Sequence, residues 1–251
     1  MTNKNKYFIG NWKMFGDLPS FKILNSVNVY LSKNKKKYTK VIFCLPYTLI
    51  NNFSERLKNT NIYIGAQNSH YETNYGSYTG NINSKMIKNV GADYIILGHS
   101  ENRRDGDTDT MINKKVKSAI KNNLTVIFCV GETSNQRIKK TTNKILAKQI
   151  NKGLHRVNSL KNIILAYEPV WSIGTGKIPR SRDLMNTLSF IRKKLVKKYG
   201  NKNLIKLIYG GSVNPKNIKE FNTINDIDGF LIGRASWSDK QFIDIIKNYY
   251  K

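Results

Sequence analysis

In the stretch LAYEPVWSIGTGK (165–177) an apolar run ends on one carboxylate, Glu168, and a loop that is first stiff and then flexible follows at once. Two other segments end in polar groups in the same way. GNWKM (10–14) carries Asn11 and Lys13 beyond an apolar run, and GHSE (98–101) carries His99, Ser100 and Glu101. A carboxylate, an imidazole and an ammonium suit proton transfer beside a carbonyl: the carboxylate takes the proton, and the nitrogens steady the oxyanion that forms. YGGSV (209–213) and GRAS (233–236) end two further runs, and their glycines let backbone N–H groups approach a phosphate. Together these groups point to proton abstraction from a phosphorylated carbonyl compound.

Each residue alone has a duller reading. Glu168 could be a structural ion-pair partner, Lys13 a surface lysine, His99 a satisfied core histidine, and Gly210-Gly211 a relief for a tight turn. The functional reading rests on their sharing one rim. His70 and His155 lack a comparable setting and read as structural or surface residues. GTGK (174–177) is no nucleotide loop, because the earlier glycine of that motif is missing and Ile178 replaces its Ser/Thr. No GxGxxG follows the first strand, and no Cys/His cluster has zinc spacing. The expectation is chemistry without metal or cofactor.

The elements that would place these groups recur along the chain. Eight apolar runs, at 7–12, 41–45, 62–66, 94–98, 125–130, 163–167, 204–210 and 229–233, are continuous rather than alternating, as strands covered on both faces are. Helical stripes lie between them: Phe21, Leu24, Val27 and Leu31; Met111, Val116, Ala119 and Ile120; Leu184, Leu188, Ile191 and Leu195. Ser181 is expected to cap the helix ahead of the seventh strand and Gly200 to end it, with Pro215 in the first turn of the next helix. This alternation, unbroken by any linker, predicts a single α/β domain over 1–251, a closed (β/α)8 barrel, with an open doubly wound sheet as the rival. Active sites of such barrels sit at the C-terminal ends of the strands, where the polar residues above fall.

Composition narrows the partners. The 251 residues carry 43 Lys+Arg against 16 Asp+Glu, a formal charge of +27. The lysines are spread out, with modest clusters at Lys33–Lys37 and Lys193–Lys198, and no aromatic residues interleave with them as a stacking platform for nucleic acid requires. Solvated helix faces, or attraction of an anionic substrate, are the readings kept; nucleic-acid and membrane partners are not expected. Cys44 and Cys129 sit in near-twin strand contexts, VIFCLP and VIFCVG, and with no export signal are expected to stay reduced in a cytoplasmic protein.

With those residues in place, the chain closely resembles the triosephosphate isomerase family. GNWKM, GHSE, AYEPVWSIGTGK and YGGSV look like its signatures in its order, supported by AQN (66–68), YTG (78–80), CVGET (129–133) and FLIGRAS (230–236). The resemblance covers essentially the whole chain. It implies reversible conversion of dihydroxyacetone phosphate to glyceraldehyde 3-phosphate through an enediolate, in glycolysis and gluconeogenesis. By that resemblance Glu168 is the base, His99 the electrophile and proton shuttle, Lys13 the cation, and Asn11 a supporting contact. Backbone at Gly174, Ser212, Gly233 and Arg234 grips phosphate, and Glu101 and Cys129 stand behind the reacting groups. Pro169, Val170, Trp171, Ser172, Ile173, Gly174, Thr175, Gly176 and Lys177 form a closing lid. The family's habit also implies a homodimer, with residues 68–79, including Tyr75, Gly76 and Thr79, reaching into the second copy.

Three features depart from the pattern. Asn102 intervenes between Glu101 and the paired Arg103-Arg104, and the segment before Asp107 is one residue short; either Asn102 replaces an arginine or the loop is re-spaced. Arg234 stands where the family has Gly or Asn, so a positive φ there would be strained. The charge of +27 exceeds the family's habit. Rival functions are another phosphate-binding barrel isomerase, acting on a phosphoribosyl amino sugar, and a basic barrel that binds nucleic acid.

Overall fold

The computed structural model describes residues 5–34, 38–200, 205–224 and 226–251. The eight apolar runs form eight parallel strands: β1 (Lys6–Asn11), β2 (Thr39–Leu45), β3 (Ile62–Ala66), β4 (Tyr94–Leu97), β5 (Thr125–Val130), β6 (Ile163–Tyr167), β7 (Leu207–Tyr209) and β8 (Gly229–Ile232). Each pairs with the next and β8 returns to β1, closing the (β/α)8 barrel and excluding the open sheet.

The described α-helices are α1 (Phe21–Lys33), α2 (Tyr47–Arg56), α3 (Ser84–Asn89), α4 (Ser100–Arg104), α5 (Asp109–Lys121), α6 (Ser134–Ile138), α7 (Thr142–Gly153), α8 (Ser181–Tyr199) and α9 (Asp239–Tyr249). The expected stripes face inward: Phe21, Leu24, Val27 and Leu31 on α1 and Leu184, Leu188, Ile191 and Leu195 on α8 are all buried. Helix starts are satisfied locally, as where the Thr133 hydroxyl accepts from the Gln136 N–H and the Gln136 side chain accepts in return from the Thr133 N–H.

Strand parity splits the core in two. Tyr7, Ile9, Ile42, Cys44, Tyr94, Ile96, Ile127, Cys129, Ile164, Ala166, Ile208 and Leu231 fill the barrel interior, while the alternate strand residues pack against the helices. Cys44 and Cys129 are buried and free, without a disulfide.

Two local expectations are corrected. Ser181 is the first residue of α8 rather than its cap; Arg180 occupies the cap position, with no side-chain cap bond. Gly200 does end the helix, at φ +71°. After Pro215 the chain makes only a 3₁₀ turn at Ile218–Phe221. There the Asn214 side chain accepts from the N–H groups of Lys216 and Asn217, and Asn217 accepts from Asn214, so side-chain turns take the donors a longer helix would use. Leu204 and residues 35–37 of the first lysine cluster lie outside the described residues.

Candidate active site

Parity also places the chemistry. Ile9, Ala166, Ile208 and Leu231 point into the barrel, so two residues on, Asn11, Glu168, Gly210 and Gly233 face the same axis at its C-terminal mouth. His99 has the wrong parity for β4. Gly98 corrects it with φ +77°, turning the chain so that His99 enters the cleft and caps α4. A cleft of about 370 Å³ results, lined by Asn11, Lys13, His99, Glu168, Gly174, Ser212, Gly233 and Arg234 among others. The structure thus brings together at the cleft every residue named from sequence as base, electrophile, cation or substrate contact.

Glu168 is only 2% exposed. Its Oε1 lies 3.3 Å from His99 Nε2 yet makes no hydrogen bond. Burial raises its pKa above the usual carboxylate range; the charges of His99 and Lys13, with the Ser100 N–H and Cys129 thiol, offset only part of this. A Cβ on Gly210 would come within 2.8 Å of Glu168 Cγ, so that neighbour must lack a side chain. The backbone N–H of Glu101 donates to His99 Nδ1 at 3.2 Å. That contact leaves Nε2, the nitrogen turned towards Glu168, as the ring's free donor position.

Lys13 Nζ sits 2.6 Å from Glu101 Oε1. Burial pushes the Glu101 pKa up, but the Lys13 hydrogen bond and the charges of His99, Lys13 and Arg104 outweigh it and hold this carboxyl below its ordinary range. Cys129 lies buried next to Glu168, its thiol pushed well up by burial and then by the Glu168 charge. Glu101 thus lies against Lys13, and Cys129 against Glu168.

Gly174, Thr175, Gly176 and Lys177 are exposed, whereas Pro169 and Ser172 are buried. Trp171 Nε1 donates to Glu132 Oε1 at 3.0 Å, and the Tyr167 hydroxyl donates to both Glu132 oxygens at 3.1 and 3.2 Å. The Arg137 guanidinium lies 4.6 Å over the Trp171 ring and 3.7 Å from Glu132 Oε1. Farther along, the Ser172 hydroxyl donates to Lys177 O at 2.6 Å and accepts from the Ser212 N–H at 3.2 Å. The Ser212 N–H, expected to hold phosphate, is thus occupied by the Ser172 hydroxyl.

The first two departures can be placed in the structure. Arg103 turns inward, donating to Gly98 O at 2.7 Å and Cys129 O at 3.2 Å and pairing with Asp109 at 2.6 Å. The network hangs on Arg103, while Asn102 lines an adjoining hollow that shares Asn11, Lys13 and His99 with the cleft. Arg234 is exposed and absent from the positive-φ residues, so the strain expected there is not found. Among the described residues of the cleft, the non-glycine residue with a left-handed backbone is Lys13, at φ +55°; Asn59, Asn123, Lys140 and Arg156 share that conformation elsewhere in the chain.

Sequence reasoning also passed over Glu132 as the anchor of the lid. Its signal was a carboxylate two residues beyond a buried strand, after Gly131, close to the signal that marked Glu168. Buried Lys115, bound to both oxygens of Asp107 at 2.7 Å and to Asn68 Oδ1 at 3.0 Å, was missed because a lysine inside a helix reads as solvated.

Comparison with known proteins adds an independent line. The family described as Triosephosphate isomerase matches residues 6–249. The triosephosphate isomerase of Alkaliphilus oremlandii is 40% identical over 242 residues, covering 94% of this chain and 96% of that protein. That of Dictyoglomus thermophilum is 38% identical over 98% of this chain and its own whole length. A crystal structure of triosephosphate isomerase from Bartonella henselae superposes with a TM-score of 0.90 at 34% identity, covering 98% of this chain and 100% of that one.

Proposed function

Because the chain belongs to the triosephosphate isomerase family and interconverts dihydroxyacetone phosphate and glyceraldehyde 3-phosphate, we propose that Glu168, His99 and Lys13 divide the reaction among them. The observation that carries this assignment is the convergence of a buried carboxylate, an imidazole and an ammonium on one cleft flanked by glycine turns. Glu168 removes a proton from one substrate carbon and returns it to the neighbouring carbon. His99 Nε2–H polarises the carbonyl and relays protons between the two oxygens. Lys13 stabilises the negative charge of the enediolate, with Asn11 beside it.

Phosphate is held by backbone N–H groups at Gly174, Ser212, Gly233 and Arg234. Closure of Pro169–Lys177 brings Gly174 to the ligand, releases the Ser212 N–H from Ser172 and excludes water. A base parked out of water needs no hydration shell stripped from it when substrate arrives.

The working form is a homodimer. Fully exposed Met14 and the 67% exposed Tyr75 are apolar surface that a second copy would cover. The hollow of about 350 Å³ lined by Lys13, Met14, Tyr47 and Glu101 would receive segment 68–79 of that copy. The free cysteines fit a cytoplasmic enzyme. The scattered lysines fit no nucleic-acid or membrane partner.

The test is isomerase activity on glyceraldehyde 3-phosphate, coupled to reduction of the dihydroxyacetone phosphate formed, beside Glu168→Gln. Turnover that collapses in the variant supports the assignment; turnover that survives refutes the base. Light scattering on the eluting protein tests the dimer, which a fully active monomer would exclude.

A further inference from the structure

Two indoles button the loop after β1 to the turn after β8. Trp12 Nε1 donates to Ser236 O at 3.1 Å, and Trp237 Nε1 donates back to Trp12 O at 3.0 Å. The Trp237 ring stacks on Phe15, with centroids 4.6 Å apart and planes 8° from parallel. Between the points of attachment lies Lys13 at φ +55°, a left-handed backbone that a residue with a side chain keeps only when its surroundings enforce it.

The enforcement falls on a single peptide group. The Lys13 N–H donates to Asn11 Oδ1 at 3.1 Å, and the carbonyl of the same peptide, Trp12 O, is the acceptor for Trp237. Both ends of the Trp12–Lys13 peptide are therefore fixed by side chains, which sets its plane and, through φ, the direction in which the lysine leaves the backbone. The Lys13 stem passes the turn after β8, its Cε 3.9 Å from where a Cβ on Gly233 would be.

We infer that Trp237 is a positioning residue for Lys13, tying the ammonium to the turn that holds phosphate so that both meet one substrate in register. Phe15 is its backing plate, holding the indole flat so that Nε1 reaches Trp12 O. The inference rests on the reading of Lys13 as the substrate-binding cation.

The experiment is a double-mutant cycle on Trp237→Phe and Lys13→Met, read by calorimetric binding of 2-phosphoglycolate, a phosphate dianion whose carboxylate imitates the enediolate. Trp237→Phe keeps the stack and removes only the donor. It is expected to weaken binding on the order of 10-fold and to lower kcat/KM at least as much, while the thermal midpoint moves by only a few degrees. In the Lys13→Met background the same change should have almost no further effect. A full, additive effect in that background overturns the inference and makes Trp237 a structural residue only. If Lys13→Met alone leaves binding unchanged, the reading of Lys13 itself fails. Phe15→Leu, which keeps every hydrogen-bonding group, should reproduce the pattern in weaker form; loss of folding without selective loss of binding would count against positioning.

Discussion

Glu168 Oε1 and His99 Nε2 face each other at 3.3 Å without a hydrogen bond between them, in a pocket where the carboxylate is 2% exposed. The carboxylate is held dry, with one oxygen unsatisfied. Stability and activity should therefore pull in opposite directions at this residue.

Glu168→Gln keeps the shape and removes the buried charge. General-base loss should cost on the order of 10²–10⁴-fold in kcat. The amide should raise the thermal midpoint by about 2–4 °C for each kcal/mol of relieved desolvation. Paired kinetics and melts check both; a destabilised variant would mean that the carboxylate is well solvated.

The raised pKa of Glu168 has a signed consequence for pH. The folded state keeps this proton at pH values where the unfolded chain has lost it. The folded state then binds more protons, and stability must fall as pH rises from the ordinary carboxylate value through the folded one. The kcat/KM profile should lose its acid limb at a pH above the ordinary carboxylate pKa. Melts of wild type and Glu168→Gln across that window should converge at its acid end and separate above it.

Glu132→Ala would leave the buried Tyr167 hydroxyl and the half-buried Trp171 Nε1 facing an absent acceptor, while Arg137 keeps its bond to Asp183. Each buried orphan costs about 1–3 kcal/mol, so a midpoint drop of several degrees is expected, with a raised KM as the lid loses its hinge post. Differential scanning calorimetry and steady-state kinetics read the two effects separately.

Arg234→Gly should raise KM about two- to fivefold, through loss of one exposed charge near the bound phosphate. Because the backbone there is not left-handed, glycine brings no relief of strain to offset the loss. An unchanged or lower KM would remove the guanidinium from the account.

With a charge of +27 and a dianionic substrate, kcat/KM should fall as salt rises from about 0.01 to 0.15 M, over which the screening length shrinks from about 30 to 8 Å. A rate indifferent to salt would leave the lysines as solvated surface alone.

What could be read in advance divides along physical lines. Barrel closure and the rim residues were legible because a strand buried on both faces has an apolar stretch with a definite end, and the group after that end stands out, as with Glu168 and Asn11. His99 was legible by position, although its inward turn depends on the φ of Gly98. What escaped were features carried by three-dimensional pairing. Nothing linear joins Trp12 to Trp237, or Lys115 to Asn68. The short turn after Pro215 escaped because side-chain hydrogen bonds from Asn214 and Asn217 compete locally with a helix that hydrophobic spacing alone would allow.

Strand parity also decides which kinds of inherited change the chain can survive. A substitution within β6 alters one contact, but a single inserted or deleted codon there would turn Glu168 from the barrel axis to the helix layer. The connecting segments carry no such constraint: between β4 and β5, Arg103, Asp109 and Lys115 are held by ion pairs rather than by strand register. Length variation among descendants of this barrel should therefore collect in the segments between strands and stop short of the last two residues before each rim.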